Sequence, residues 1–186
     1  TSFGSEAWLN AEYVRASVRI LTGFIEPHIF AGFSGGGKAV LPGIAGGDTV
    51  MRNHNAEMIG NPNSTYGITK GNPIFEEMRE VALLSRPTFL LNVTLNKRRQ
   101  ITGVFAGDLV QAQDAGIAFV RRTAMQPVDR PFEIVLTTNN YYPADLDLYQ
   151  SVKGMKAAAQ VTKEGGAIVI AAGCEEGVGH GPFGDI

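Results

Sequence analysis

Residues 23–55 read GFIEPHIFAGFSGGGKAVLPGIAGGDTVMRNHN, and this run decides how the rest of the chain is read. It gathers two of the three histidines and a lysine around a triple glycine. Gly32 to Lys38 satisfies G-x-x-x-x-G-K, the opening of a phosphate-binding loop, but the next residue is Ala39 where that loop needs Ser or Thr. In a nucleotide triphosphatase the missing hydroxyl holds Mg²⁺, so NTP hydrolysis is not expected. The glycines still permit positive φ and close approach of an anion or a flat cofactor beside Lys38.

Working outward, Val18 to Thr22 alternates and is β-branched enough for a strand feeding the glycines, and Glu6 to Ala16 suits a short helix before it. Pro27 fixes the backbone before His28, which falls on a loop. Pro42 and Gly43 punctuate the next turn. Asp48 or Thr49 is then expected to cap a helix carrying Met51, Arg52, His54 and Met58, with His54 in its second turn. Residues 60–72 read as a long ordered loop, and Asn72-Pro73 opens a helix with Ile74, Met78, Val81 and Ala82 on one face. Thr88 to Leu95 and Gln100 to Phe105 read as strands joined by a charged hairpin tip at residues 96–99. Asp108 caps a helix with Val110, Ala112, Ala115, Phe119 and Val120 as its apolar stripe.

The run MQPVDRP, residues 125–131, interrupts this periodicity with two prolines and two charges. It separates residues 1–125, part of a first domain, from residues 132–186, the start of a second, with 126–131 as linker. A βαβ unit follows: strand Phe132 to Leu136, helix Asp145 to Val161, strand Gly166 to Ala172, and a glycine-rich end from Gly173 to Gly184. A crossover of that length implies parallel strands, with sites at their carboxyl ends. The fold class is α/β, with mixed and parallel sheets and flanking helices.

Sixteen basic against eighteen acidic residues leave a net charge of −2, which gives no reason to expect nucleic acid or an anionic membrane surface as partner. A small ligand fits better. The single cysteine, Cys174, excludes an internal disulfide and an all-cysteine metal site and is usual in the cytoplasm. No apolar run reaches membrane-spanning length, and the start, TSFGSEAWLN, lacks the order of a signal peptide. Both ends look cut, as in a piece of a longer protein.

Chemistry falls to a few residues. His28, held by Pro27, suits a general acid or base, or is a histidine hydrogen-bonded to backbone. His54 alone makes no protein-only metal site and reads as structural or as one ligand of several. Lys38 after a glycine run binds phosphate, or acts as a nucleophile once its charge is suppressed. Gln150 and Lys153 are three apart on a helix and share a face, either reaching one carboxylate or solvated. Glu175, Glu176 and His180 form a site or a frayed tail.

The motifs EPHIFAGFSGGGKAVLPG, RNHN and LYQSVKGM, with LLNVTLN and VFAGD, resemble the lactate racemase family, the nickel-pincer-nucleotide-dependent 2-hydroxyacid racemases and epimerases. The intervals agree: ten residues from His28 to Lys38, sixteen from Lys38 to His54, three from Gln150 to Lys153. The resemblance implies an isomerase whose pyridinium-3,5-bisthiocarboxylic acid mononucleotide is joined to Lys38 beside Gly35 and Gly36. Its nickel is held by two cofactor sulfurs, a ring carbon and His54. His28 would exchange the hydroxyl proton of a small 2-hydroxyacid, and Gln150 and Lys153 would make polar substrate contacts at the cleft between the domains. Cofactor-biosynthesis enzymes are implied partners. The resemblance also puts a second catalytic histidine and a carboxylate-binding arginine upstream of Thr1, so this piece is expected to be inactive alone. The competing reading is a nucleotide- or phosphate-binding module without catalysis, in which His54 has no task.

Overall fold

The computed structural model describes residues 1–179 and divides the chain into two units, Thr1–Gln126 and Pro127–Ile186. The first begins with a short helix α1, Ala11–Arg15, and strand β1, Ile20–Phe24. The helix expected from Glu6 starts only at Ala11. Asn10 takes the N-cap, accepting from the amides of Glu12 and Tyr13, while Leu9 forms an antiparallel bridge with Ala45. Strand β1 runs two residues past Thr22, through Gly23 and Phe24.

His28 does not lie on a free loop. Pro27–His28 (β2) and Gly32–Phe33 (β3) form a small antiparallel ladder, with His28 opposite Gly32. A 3-10 turn over Gly36–Ala39 carries Lys38. Helix α2, Gly47–Asn53, starts from Gly46 with no side-chain cap. Neither Asp48 nor Thr49 caps it, because Thr49 is buried with its hydroxyl donating to the Glu6 carbonyl and accepting from the Trp8 amide. The helix ends one residue before His54, and Met58 sits on a separate helix α3, Ala56–Gly60, capped by Asn55.

Helix α4, Pro73–Leu84, opens as its Asn-Pro start predicts: the Asn72 side chain accepts from the Phe75 amide and Pro73 occupies the first turn, where it gives up no hydrogen bond. Strands β4, Phe89–Leu95, and β5, Ile101–Gly107, pair antiparallel across the Asn96 hairpin, and β1 joins the other edge of β4 in parallel, giving a mixed sheet in the order β1-β4-β5. Asp108 caps α5, Leu109–Thr123, as expected, but the buried line is Leu109, Ala112, Gln113, Gly116, Ile117 and Val120. Ala115, assigned to the apolar stripe, is exposed. A polar Gln113 and a side-chain-free Gly116 occupy core positions because the glycine turn and the Ile25 side chain press against them.

The core of this unit is built from Leu21, Val40, Leu41, Ile74, Met78, Val81 and Leu90, with a smaller cluster of Ile25, Phe33, Phe75, Ile117 and Val120. Val40 and Leu41, directly after the 3-10 turn, are fully buried, so burial of apolar side chains anchors the turn at its far end.

The second unit is a βαβ element. Strands β6, Phe132–Thr138, and β7, Thr162–Ala171, are parallel, and helix α6, Leu148–Ala159, crosses between them. The parallel arrangement follows the predicted crossover, though the helix is shorter than residues 145–161, since Asp147 caps it. Gly154 lets α6 approach β6 closely, as a Cβ there would lie 2.6 Å from the Thr138 carbonyl oxygen. Among the described residues, no helix is long and apolar enough to cross a membrane.

Candidate functional site

His28 and Lys38 come together. Their Nε2 and Nζ atoms are 3.3 Å apart, although the residues are ten apart in sequence. The ladder of β2 and β3 reverses the chain, and Gly32, at φ 74°, lets it turn against the Ile68 carbonyl, where a Cβ would sit at 2.1 Å. Within that reversal His28 Nδ1 accepts from the amides of Phe30 (3.3 Å) and Ala31 (3.1 Å). The backbone-bonded reading of this residue is therefore met at one ring nitrogen, while the other faces the Lys38 amine. Two donors on Nδ1 require its lone pair, so the neutral ring in this orientation carries its hydrogen on Nε2.

Lys38 owes its place to the glycines. Gly35 and Gly36 have φ of 75° and 55°, and a Cβ on Gly36 would meet the Gln113 side chain at 2.1 Å. The Gly36 amide donates to Asn92 Oδ1 (2.7 Å), and the Lys38 amide donates to the Gly35 carbonyl (3.2 Å). The turn thus spends backbone donors within the protein, unlike a phosphate-binding loop, whose amides converge on the anion. This observation weakens the phosphate-loop reading of the glycine run.

His54 is the C-cap of α2, its amide donating to the Val50 carbonyl (2.9 Å). The preceding Asn53 is wholly buried and donates from Nδ2 to Glu77 Oε2 (3.0 Å) and to the Ile74 carbonyl (3.3 Å), which pins the end of α2 to α4. The His54 pKa lies below its usual 6.5, first because burial disfavours the cation, then because the positive charge of Lys38 acts on it; the Val50 backbone bond opposes both. Its Nδ1 is buried without a hydrogen-bond partner. A neutral imidazole with an unspent buried nitrogen is the form a metal ligand requires. Among the described residues no three His, Cys, Asp or Glu side chains gather into a metal cage. The residues present therefore fit a metal that arrives with most of its own donors, and they do not fit a protein-only site.

In the second unit, Gln150 and Lys153 share a face of α6, with Lys153 Nζ donating to Gln150 Oε1 (2.6 Å). The Gln150 amide is capped by Asp147 Oδ1 (2.6 Å), and its carbonyl accepts from Asn139 Nδ2 (2.8 Å), at the loop leaving the carboxyl end of β6. Glu175 and Glu176 do not fray: the amides of Leu148 and Tyr149 donate to the carbonyls of Gly177 and Val178, folding this turn onto the start of α6. His180 lies outside the described residues.

Sequence reasoning missed Asn53, Glu77, Asn92 and Gln113. The available signal was a polar residue at an inward position: Asn92 interrupts the apolar alternation of LLNVTLN, and Gln113 lies four residues from both Leu109 and Ile117.

The chain has known relatives. Residues 1–67 match the family model of the lactate racemase N-terminal domain, and residues 128–185 match that of the C-terminal domain. The chain belongs to the lactate racemase family. It is 42% identical, over 97% of its length, to the lactate racemases of Thermoanaerobacterium thermosaccharolyticum and Lactiplantibacillus plantarum. The solved apoprotein of the former superposes with a TM-score of 0.92 over 95% of the chain. The chain spans 42% of the length of these relatives. A Thermotoga maritima protein of 19% identity, covering 75% of this chain and 36% of its own, shares the fold at a TM-score of 0.54.

Proposed function

We propose that this chain supplies the cofactor-tethering and part of the substrate-binding machinery of a cytoplasmic 2-hydroxyacid racemase or epimerase acting on a lactate-like substrate. The observation that carries the reading is the cluster itself: Lys38 Nζ beside His28 Nε2, with the charge of Lys38 felt by a half-buried, neutral His54 whose buried Nδ1 has no hydrogen-bond partner. Lys38 would hold the pyridinium dithio-mononucleotide covalently, on the turn shaped by Gly35 and Gly36, and His54 would supply the protein's ligand to its nickel. When bound, that group supplies hydride acceptance from the substrate Cα and hydride return to it.

The chain's own residues handle the proton and the orientation. His28 exchanges the proton of the substrate hydroxyl at Nε2, the ring nitrogen left by the Phe30 and Ala31 amides. In the orientation seen the ring is set to donate from Nε2 to an oxygen. Accepting the hydroxyl proton at that atom requires the ring hydrogen on Nδ1, at the expense of those two backbone contacts. Gln150 and Lys153 offer an amide and an ammonium on one helical face to a carboxylate or carbonyl oxygen. The second proton-exchanging histidine and the arginine that grips the carboxylate are assigned to sequence outside this chain, so the chain alone is expected not to turn over.

The test is the intact mass and nickel content of the full-length protein, produced together with the cofactor-building enzymes. A dithio-nucleotide adduct lost in Lys38→Ala, and a retained adduct with depleted nickel in His54→Ala, are the expected results. An unmodified protein from cells that make the cofactor would overturn the reading.

A further inference from the structure

Three polar or charged side chains from three elements converge beneath the glycine turn, and the chemistry above gives them no part. Asn92, in the middle of β4, is wholly buried, and its Oδ1 accepts from the Gly36 amide at 2.7 Å. Gln113, on α5, is 2% exposed, and its Nε2 donates to the Gly35 carbonyl at 3.2 Å. Arg79, on α4, donates from Nε (3.2 Å) and Nη2 (3.0 Å) to Gln113 Oε1, while its guanidinium lies 4.6 Å from the Phe75 ring centre and pairs with Asp114.

The two direct contacts share one object. The Gly35 carbonyl and the Gly36 amide belong to the same peptide plane, so Gln113 and Asn92 grip its opposite polar ends. A rigid planar unit held at both ends has a fixed orientation, and the angles that flank it, ψ −172° at Gly35 and φ 55° at Gly36, are set with it. The same Gly35 carbonyl accepts the Lys38 amide, which starts the 3-10 turn. Burying two amide side chains costs free energy unless their hydrogen bonds are made, and an apolar pair would fill this core at less cost.

We propose that Asn92 and Gln113 are positioning residues whose task is to aim Lys38 by clamping the Gly35–Gly36 peptide, with Arg79 fixing the orientation of the Gln113 amide. The proposal rests on Lys38 being the residue that reacts with the cofactor.

The experiment uses the full-length protein and its Asn92→Leu, Asn92→Asp and Gln113→Met variants. Two quantities are read: the acetylation rate of Lys38 by an N-hydroxysuccinimide ester, relative to the exposed hairpin Lys97, and the rate at which the cofactor adduct forms on Lys38. Melting temperatures are recorded alongside. Asn92→Leu and Gln113→Met are expected to change the Lys38-to-Lys97 ratio and to slow adduct formation about tenfold or more, because a small displacement of a reacting group is costly. Asn92→Asp keeps an acceptor for the Gly36 amide, giving up the Nδ2 donation to the Leu91 carbonyl, and is expected to leave both nearer the unsubstituted values than Asn92→Leu does. If Asn92→Leu fails to fold, Gln113→Met decides. Lowered melting temperatures with an unchanged ratio and rate would overturn the proposal in favour of a purely structural role. A shifted ratio with no adduct even in the unsubstituted protein would support the positioning and sink the tether.

Discussion

Replacing Gly36 with alanine tests the packing of the turn most directly. Two costs arise. At φ 55° a Cβ crowds the following carbonyl, which costs about 1–2 kcal/mol in a non-glycine residue. The new Cβ would also lie 2.1 Å from Gln113 Cδ and 2.2 Å from its Nε2, and forcing a methyl into a packed interior costs about 1–3 kcal/mol more. Gly36→Ala should therefore destabilise the protein by about 2–5 kcal/mol. Gly4 isolates the conformational part, because its φ is 77° yet nothing lies within 4 Å of a Cβ built there; Gly4→Ala should cost about 1–2 kcal/mol or less. Urea denaturation followed by circular dichroism measures both. The steric part has its own check: in the Gly36→Ala, Gln113→Ala double variant the clashing atoms are gone, so the pair should cost about 1 kcal/mol or more less than the sum of the single variants. Equal costs at Gly36 and Gly4, or strict additivity in the double variant, would refute the claim that Gln113 packs against the turn.

Other side chains of the fold carry further expected outcomes. In metal-free protein the lowered His54 pKa means the folded state binds fewer protons than the unfolded chain as pH falls through 6.5, so stability should decline below that pH, and His54→Gln should flatten the decline between pH 7 and 5. Lys38→Met removes the cation that acts on His54, so the His54 pKa read by NMR should rise relative to the unsubstituted protein. Asn72→Ala removes the cap of α4 and two further donations, to the Phe30 and Ile68 carbonyls, and should cost about 2 kcal/mol or more in urea. In the full-length enzyme, Lys153→Met should raise KM for a 2-hydroxyacid about tenfold with a smaller effect on kcat, as expected for a substrate contact.

The features legible in the sequence are short-ranged. Asn72-Pro73 and Asp108 announce their helices because a cap and the amides it serves lie within three residues of each other. The hairpin at Asn96 and the parallel pairing across α6 follow from turn length and crossover length. The spacing of His28, Lys38 and His54 was likewise visible in the sequence, as was the pairing of Gln150 with Lys153 on one helical face.

Only the tertiary structure decided the rest. Thr49 looked like a cap and instead bonds the backbone of Glu6 and Trp8, more than forty positions away. His54 became a helix terminus because Asn53 is drawn to Glu77 on α4, and the buried stripe of α5 shifted from Ala115 to Gln113 and Gly116 because the glycine turn lies against it. The same long range brings Asn92 and Gln113 to the two ends of the Gly35–Gly36 peptide. A glycine run states which backbone angles are permitted, whereas the angles adopted depend on side chains that arrive from 56 and 78 residues away, and no local pattern records their arrival.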